Sequence, residues 1–360
     1  MPCMKWRTAD IVHSFSAQVG WLAKERVVFR FKVRWLVSAG AVWFHFLTIA
    51  AFADAPQLVM PLACEVGRSC AIQQYVDHDA SSGGRDYRCG TLTYNGHNGT
   101  DFRLPTTAMQ RAGIDVLAAA AGQVLRTRDG MPDALLAASA DPSASRRACG
   151  NGVVLSHGNG WETQYCHLAK GSVRVRPGER VLAGQAIGRV GLSGRTEFPH
   201  LHLTVRHEGH VVDPFAYGAA EGSCDGGVSL WSPSFRNALA YRARAVLNVG
   251  FADGPVTMEK IESGETNGSH YSTEAPALVA FVRAIGLKAG DVQRLSVKAP
   301  DGQLLADKTE EALDRNKAQT MIFAGQKRPP EGWPKGSYGA IYGVLHGGQV
   351  VLEQRFSITF

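Results

Sequence analysis

The chain has 360 residues, 45% hydrophobic and 19% charged, which is ordinary globular composition: it excludes global disorder and leaves room for about two domains. Its formal charge of +6 would suit a nucleic-acid partner if it were spread along a face. Instead, Lys5, Arg7, Lys24, Arg26, Arg30, Lys32 and Arg34, set against Asp10 and Glu25, put +5 of that charge into residues 1–53. The remainder is close to neutral, and no nucleic-acid partner is expected.

Residues 1–53 read as an export signal. A basic stretch, FRFKVRWL, precedes the apolar run from Leu36 to Phe52, and Ala51-Phe52-Ala53 offers an A-x-A cleavage site with Pro56 beyond it. The alternative is an uncleaved N-terminal membrane anchor, since the run approaches a bilayer-spanning length. In both cases the expected location is outside the cytoplasm, in the periplasm or cell envelope or secreted. Membrane contact is expected only through this segment.

Cys3 falls in the leader, and Cys64, Cys70, Cys89, Cys149, Cys166 and Cys224 remain, an even set that fits disulfides in an exported chain. Cys149–Cys166 is the favoured pair, because ACGNGVVLSHGNGWETQYC folds as a hairpin about His157-Gly158-Asn159-Gly160. A second hairpin would pair Cys70 with Cys89 and leave Cys64 for Cys224, on weaker grounds.

From Cys70 onward the chain alternates short β-runs with glycine turns: CAIQQYVD, GTLTYNG, AAAGQVLRT, NGVVLSHG, WETQYCHL, SVRVRPG, RVLAGQAIGRVG and PHLHLTVRHEGHVVD. That spacing predicts an all-β, antiparallel unit over residues 54–225. A small-residue loop, Met131 to Arg147, interrupts it at the surface. Residues 226–242 read as a linker. A second β-pattern over 243–360, with the hairpin signals APDGQ and HGGQ, predicts an immunoglobulin- or fibronectin-like sandwich.

Three segments in the first unit carry chemistry: His97-Asn98-Gly99-Thr100-Asp101, Tyr165-Cys166-His167-Leu168, and Pro199-His200-Leu201-His202-Leu203. In the last, alternation puts His200 and His202 on one strand face. Histidine nitrogens and carboxylate oxygens are zinc ligands, and a catalytic site uses three of them and leaves one position open. His97, Asp101 and one histidine of the pair would make three. Each element alone also fits a bland reading, as a surface turn, a disulfide end or a polar strand face. Their order along the chain makes the metal site the sharper one.

Taken together, GHNGTDF, YCHL, FPHLHLTV and the tail GHVVDP resemble the LytM/lysostaphin-type zinc endopeptidases of bacterial cell walls, over roughly residues 90–215. The resemblance implies one Zn2+ ion held by His97, Asp101 and His202, with His167 and His200 as the catalytic histidines that are not ligands. It implies hydrolysis of peptide cross-links in peptidoglycan by zinc-activated water. Two departures bear on substrate preference: Leu203 stands where phenylalanine is commoner, and Glu197-Phe198 where small residues are usual. Competing expectations are a catalytically silent regulator or wall-binding adaptor of the same fold, and a peptidase acting on glycine-rich proteins. The C-terminal sandwich is expected to dock the enzyme on the wall or on a protein partner, or to cover the cleft.

Other candidates read as structure. His207-Glu208-Gly209-His210 is one residue short of H-E-x-x-H and lies at a turn, not on a helix. GAAEGSCDGG lacks the strand–helix setting of a phosphate loop. His78 beside Asp77 and Asp79 reads as a solvated loop, and Trp231, Trp333 and Tyr338 as core or edge aromatics.

Overall fold

The described part of the chain is built mainly of strands, as its short alternating runs predict. In a computed structural model, residues 55–135, 147–220, 222–268 and 272–360 are described. The expected leader and the middle of the Met131–Arg147 loop lie outside the described residues. Among the described residues, no helix is long and apolar enough to cross a membrane.

The first half contributes strands β1 (Ala71–Gln74), β2 (Thr100–Arg103), β3 (Asp115–Leu117), β4 (Gly122–Arg128), β5 (Asn151–Gly158), β6 (Trp161–Leu168), β7 (Arg180–Val181), β8 (Ala186–Arg189), β9 (His200–His207) and β10 (His210–Val212), with one short helix, α1 (Thr107–Ala112). Its main sheet runs β1-β2-β9-β6-β5-β4-β7, with β10 folded back on β9, while β3 and β8 pair separately. Two expected strand runs, TLTYNG and SVRVRP, are irregular loops instead. In the first of these, the Tyr75 amide reaches Leu92 O and the Thr93 hydroxyl donates back to Tyr75 O, both at 2.8 Å, without forming a strand ladder.

Strand β9 shows why the sheet forms where it does. Leu201, Leu203 and Val205 are at most 1% exposed and face a core shared with Phe102, Leu155, Tyr165 and Trp231. His200, His202 and Thr204 are thereby turned to the opposite face. Trp231 and Leu239, expected in a linker, pack in this core. The backbone there bridges to Leu58, whose amide reaches Leu230 O at 2.8 Å.

Cys149–Cys166 is present as expected, but the other two pairs are Cys64–Cys70 and Cys89–Cys224. Cys70 does not lead into a hairpin with Cys89, because β1 pairs with β2 and leaves Cys89 in a loop turned back by Asp86. Cys64 and Cys70 instead close a tight turn, in which Gly67 adopts φ +88° and the Arg68 and Ser69 amides reach Glu65 O.

The second half adds α2 (Pro233–Arg236), β11 (Ala245–Ala252), α3 (Met258–Ser263), β12 (Ala277–Leu287), β13 (Val292–Lys298), β14 (Leu304–Thr309), β15 (Lys317–Lys327), β16 (Ser337–His346) and β17 (Gln349–Thr359). They form two antiparallel sheets, β11-β12-β15 and β14-β13-β16-β17. The sheets enclose a core of Leu278, Val282, Leu295, Ile322, Trp333, Tyr338 and Tyr342. The two halves belong to one compact unit. Leu247 and Ile285 pack on Ala71, and Arg283 donates to Pro105 O.

Candidate metal centre and active site

The polar face of the main sheet carries the candidate residues in rows. The register sets Asp101 opposite His202 and Cys166 opposite His202, so the three side chains line up across β2, β9 and β6. Arg103 stands opposite His200 in the next row. These residues line a groove of about 670 Å³, together with Tyr94, Asn98, Arg195, Phe198 and Arg206.

His167 follows Cys166 directly, and strict alternation would turn it into the core. It faces the groove because β6 carries one extra residue between the Asn151–Leu168 and Val153–Tyr165 pairs. The His167 backbone also takes φ +63°, which re-aims the side chain as a bulge does. Its ring centroid lies 4.6 Å from that of His200 and 6.1 Å from that of His202.

His97 comes from the loop before β2. The Asp77 carboxylate organises that loop by accepting from the Gly96, Arg85 and Asp79 amides, so Asp77 supports His97 and makes no surface metal site with His78. His78 pairs with Asp213 at 2.8 Å.

In each ring, a hydrogen bond to one nitrogen frees the other. His97 Nδ1 donates to Tyr75 O at 2.6 Å, leaving Nε2 to face Asp101 Oδ2 at 3.2 Å and His202 Nδ1 at 3.2 Å. His202 uses the opposite nitrogen: Nε2 donates to Asn98 Oδ1 at 3.0 Å, and Nδ1 lies 2.8 Å from Asp101 Oδ1. His167 Nδ1 donates to Ser193 O at 2.8 Å and His200 Nδ1 to Phe198 O at 2.9 Å, so both present Nε2 to the groove. His200 Nε2 is 3.6 Å from Asp101 Oδ1.

Donor atoms of His97, Asp101 and His202 lie within 4.8 Å of one another. With two free ring nitrogens, a carboxylate, and a partner fixing each ring's other nitrogen, the set fits zinc. The electrostatics point the same way. Burial alone would raise the Asp101 carboxyl, but the neighbouring His200 and His97 rings and its close contacts with His202 and His97 hold it well below the usual carboxylate range. Burial disfavours a charged His97, yet the Asp101 charge and hydrogen bond outweigh it and raise that ring. The buried carboxylate thus attracts positive charge to this spot. His167 and His200 are pushed down, chiefly by burial, and so favour the neutral form that can accept a proton.

Residues 95–214, which contain all five, match the family model for peptidase family M23. They form an M23 domain. Its relatives include the peptidoglycan DD-endopeptidase ShyA of Vibrio cholerae, 37% identical over 117 residues, which are 32% of this chain and 22% of that protein. The cell division protein DipM of Caulobacter vibrioides is 30% identical over 114 residues, 32% of this chain and 17% of that protein. A crystal structure of a zinc-containing peptidase from Vibrio cholerae aligns with 27% identity and a TM-score of 0.26, covering 41% of this chain and 39% of that one. The chain spans about a fifth of the length of the two curated relatives.

Several residues that shape the M23 site carry no sequence signal of their own. Gly99 passes so close to His202 that a Cβ there would lie 2.6 Å from Nε2. Gly150, at φ +64°, lets the chain approach Ser193, whose carbonyl holds His167; a Cβ would lie 2.3 Å from that oxygen. Thr196 donates to Phe198 O at 2.7 Å and ties the turn that orients His200. The residues set aside at the sequence level are structural. His207 stacks on Trp161 at 4.3 Å beside the Glu208-Gly209 turn, and Trp231, Trp333 and Tyr338 are at most 4% exposed.

Proposed function

We propose that the protein is an exported zinc metalloendopeptidase that hydrolyses peptide cross-links of bacterial peptidoglycan. The observation that carries this reading is the convergence of His97, His202, His200 and His167 on Asp101 and its neighbourhood, four of the five lining one groove, each ring with its inward nitrogen left free by a bond to the other. His97 Nε2, Asp101 and His202 Nδ1 would hold the ion, which when bound supplies a Lewis acid for a peptide carbonyl and lowers the pKa of a water toward neutrality.

The chain's own groups would do the rest. His200 and His167, both neutral and both presenting Nε2, would accept the proton of the attacking water. They would then donate to the developing oxyanion or to the leaving amine. The carbonyls of Phe198 and Ser193 fix their tautomers. Relatives named as peptidoglycan DD-endopeptidases support the substrate class. The three disulfides fit an oxidising compartment outside the cytoplasm.

The test is mass spectrometry of muropeptides released from cross-linked peptidoglycan by the purified protein, with and without zinc, beside a glycine-rich peptide. Zinc-dependent loss of cross-linked dimers is expected. Zinc binding without cleavage of either substrate would leave the silent regulator as the correct reading, and cleavage of the glycine-rich peptide alone would shift the substrate class.

A further inference from the structure

Arg103 follows Asp101 by two residues on β2, so it shares the groove face, and it stands opposite His200. It is 1% exposed. Its guanidinium carbon lies 4.2 Å from the centre of the Phe198 ring. That ring lies 4.7 Å from the His200 ring, and the Phe198 carbonyl accepts from His200 Nδ1. Arg103 therefore backs the short segment that orients His200.

Most of what holds Arg103 comes from the second half of the chain. Gln73 accepts from Nη1 at 2.9 Å, but Nη2 donates to Glu262 Oε1, after β11 on α3, and to Gln319 Oε1 on β15, both at 3.0 Å. Gln73 is itself tied across the junction, donating to Ala318 O at 3.0 Å. Ala318 and Gln319 also line the groove. Glu262 is shared with Arg283 at 3.5 Å, so one carboxylate serves two buried cations. Without these acceptors a long, flexible cation under Phe198 would have no reason to keep its place.

We propose that the C-terminal sheets are a working part of the catalytic groove, with Glu262 and Gln319 holding Arg103 against Phe198 so that Arg103 is a positioning residue for His200. This rests on the reading of His200 as a catalytic group. It gives the C-terminal half a role beyond docking or covering the cleft.

The experiment uses the full chain, with Gln319→Ala, Arg103→Met and the double variant, assayed on a purified cross-linked muropeptide at saturating zinc. Zinc stoichiometry, thermal midpoint and amide exchange over residues 196–200 are read in parallel. Gln319→Ala is expected to lower kcat about tenfold, equivalent to ~1.4 kcal/mol, with zinc content and thermal midpoint unchanged. Its KM is expected to stay within about twofold, the pattern of a lost transition-state interaction. The double variant should lose no more than Arg103→Met alone, because the two residues act in one chain of contacts. Amide exchange at Phe198 should quicken.

A Gln319→Ala protein with wild-type kcat and exchange would overturn the proposal, as would additive losses in the double variant or a loss of kcat that tracks lost zinc. If Arg103→Met does not fold, Gln319→Ala alone decides by its kcat and exchange. An inactive wild type would sink the proposed function separately. The exchange readout would then still decide whether the C-terminal sheets hold the Phe198 segment.

Discussion

Replacing Gly99 with alanine is the sharpest probe of the proposed metal centre. A Cβ at this position would lie 2.6 Å from His202 Nε2, 2.7 Å from its Cε1 and 2.7 Å from Leu203 O. The carbonyl belongs to β9, held between β2 and β6, and cannot retreat without breaking the sheet. The ring or the loop must therefore give. Regaining a tolerable contact needs roughly 0.4 Å of movement, whereas metal–ligand distances tolerate about 0.2 Å. Either His202 loses its 3.0 Å bond to Asn98, or the loop lifts and carries His97 with it. Overpacking of this kind costs ~1–3 kcal/mol. Disturbing the support of one ligand typically lowers metal affinity about 10–100-fold. The assay is competition for zinc against a chelating dye, with Gly343→Ala as control, since nothing lies within 4 Å of a Cβ there. A Gly99→Ala protein that binds zinc as tightly as the control would refute the reasoning, because His202 would then not need its present place to serve as a ligand.

Three further outcomes follow from the same geometry. His97→Ala should abolish zinc binding, whereas His200→Ala should keep zinc and lose about 10²–10⁴ in turnover, read by metal analysis and muropeptide release; an active, zinc-free His97→Ala protein would remove the metal assignment. Cys149→Ala/Cys166→Ala opens a loop with a sequence separation of 17 and should cost roughly 3 kcal/mol in urea denaturation. The same change should slow turnover, because the His167 amide is held by Cys149 O at 2.8 Å; unchanged stability and rate would contradict both points. In the C-terminal half, burial alone would raise Asp291, but hydrogen bonds from Arg244, the Lys288 amide and His346 hold its carboxyl below the usual value. Its contribution to stability is then complete above about pH 4 and is lost as the pH falls through the depressed folded value, where the unfolded chain binds the extra proton. Denaturation of metal-free protein should show a penalty for Asp291→Asn at pH 6 that shrinks toward pH 3, and a penalty independent of pH would refute the linkage.

The sequence is most legible where one period decides the outcome. The alternation of β9 places Leu201, Leu203 and Val205 in the core and both histidines on the other face, and the hairpin about Gly158-Asn159-Gly160 brings Cys149 within disulfide reach of Cys166. It is least legible where loops, not strands, decide proximity. Cys64–Cys70 and Cys89–Cys224 depend on turns organised by Glu65 and Asp86, which no periodicity reveals. His167 is a mixed case. Its neighbour Cys166 is legible as a groove residue, but only an extra residue in β6 and a left-handed backbone bring the next side chain to the same face. The contacts of Arg103 with Glu262 and Gln319 are beyond sequence reading altogether, since they join positions 159 and 216 residues apart.

The two imidazoles of PHLH share a face, yet their surroundings give them different chemistry. His202 spends Nε2 on Asn98 and Thr204, so its free nitrogen is Nδ1, the one nearer the backbone. That nitrogen lies beside Asp101 on β2, where the raised His97 ring and the ionised carboxylate already mark a demand for positive charge, and with them it would hold the proposed ion. His200 spends Nδ1 on Phe198 O, so its free nitrogen is Nε2, farther out from the strand and toward His167. Two positions apart on one face, the rings present different nitrogens because Asn98 and Phe198 occupy opposite ones, which suits the proposed ligand role of His202 and the proposed proton-carrying role of His200. Which nitrogen each ring of this strand presents is set by the flanking loops, and the proposed role of Arg103 would extend that control to the C-terminal sheets.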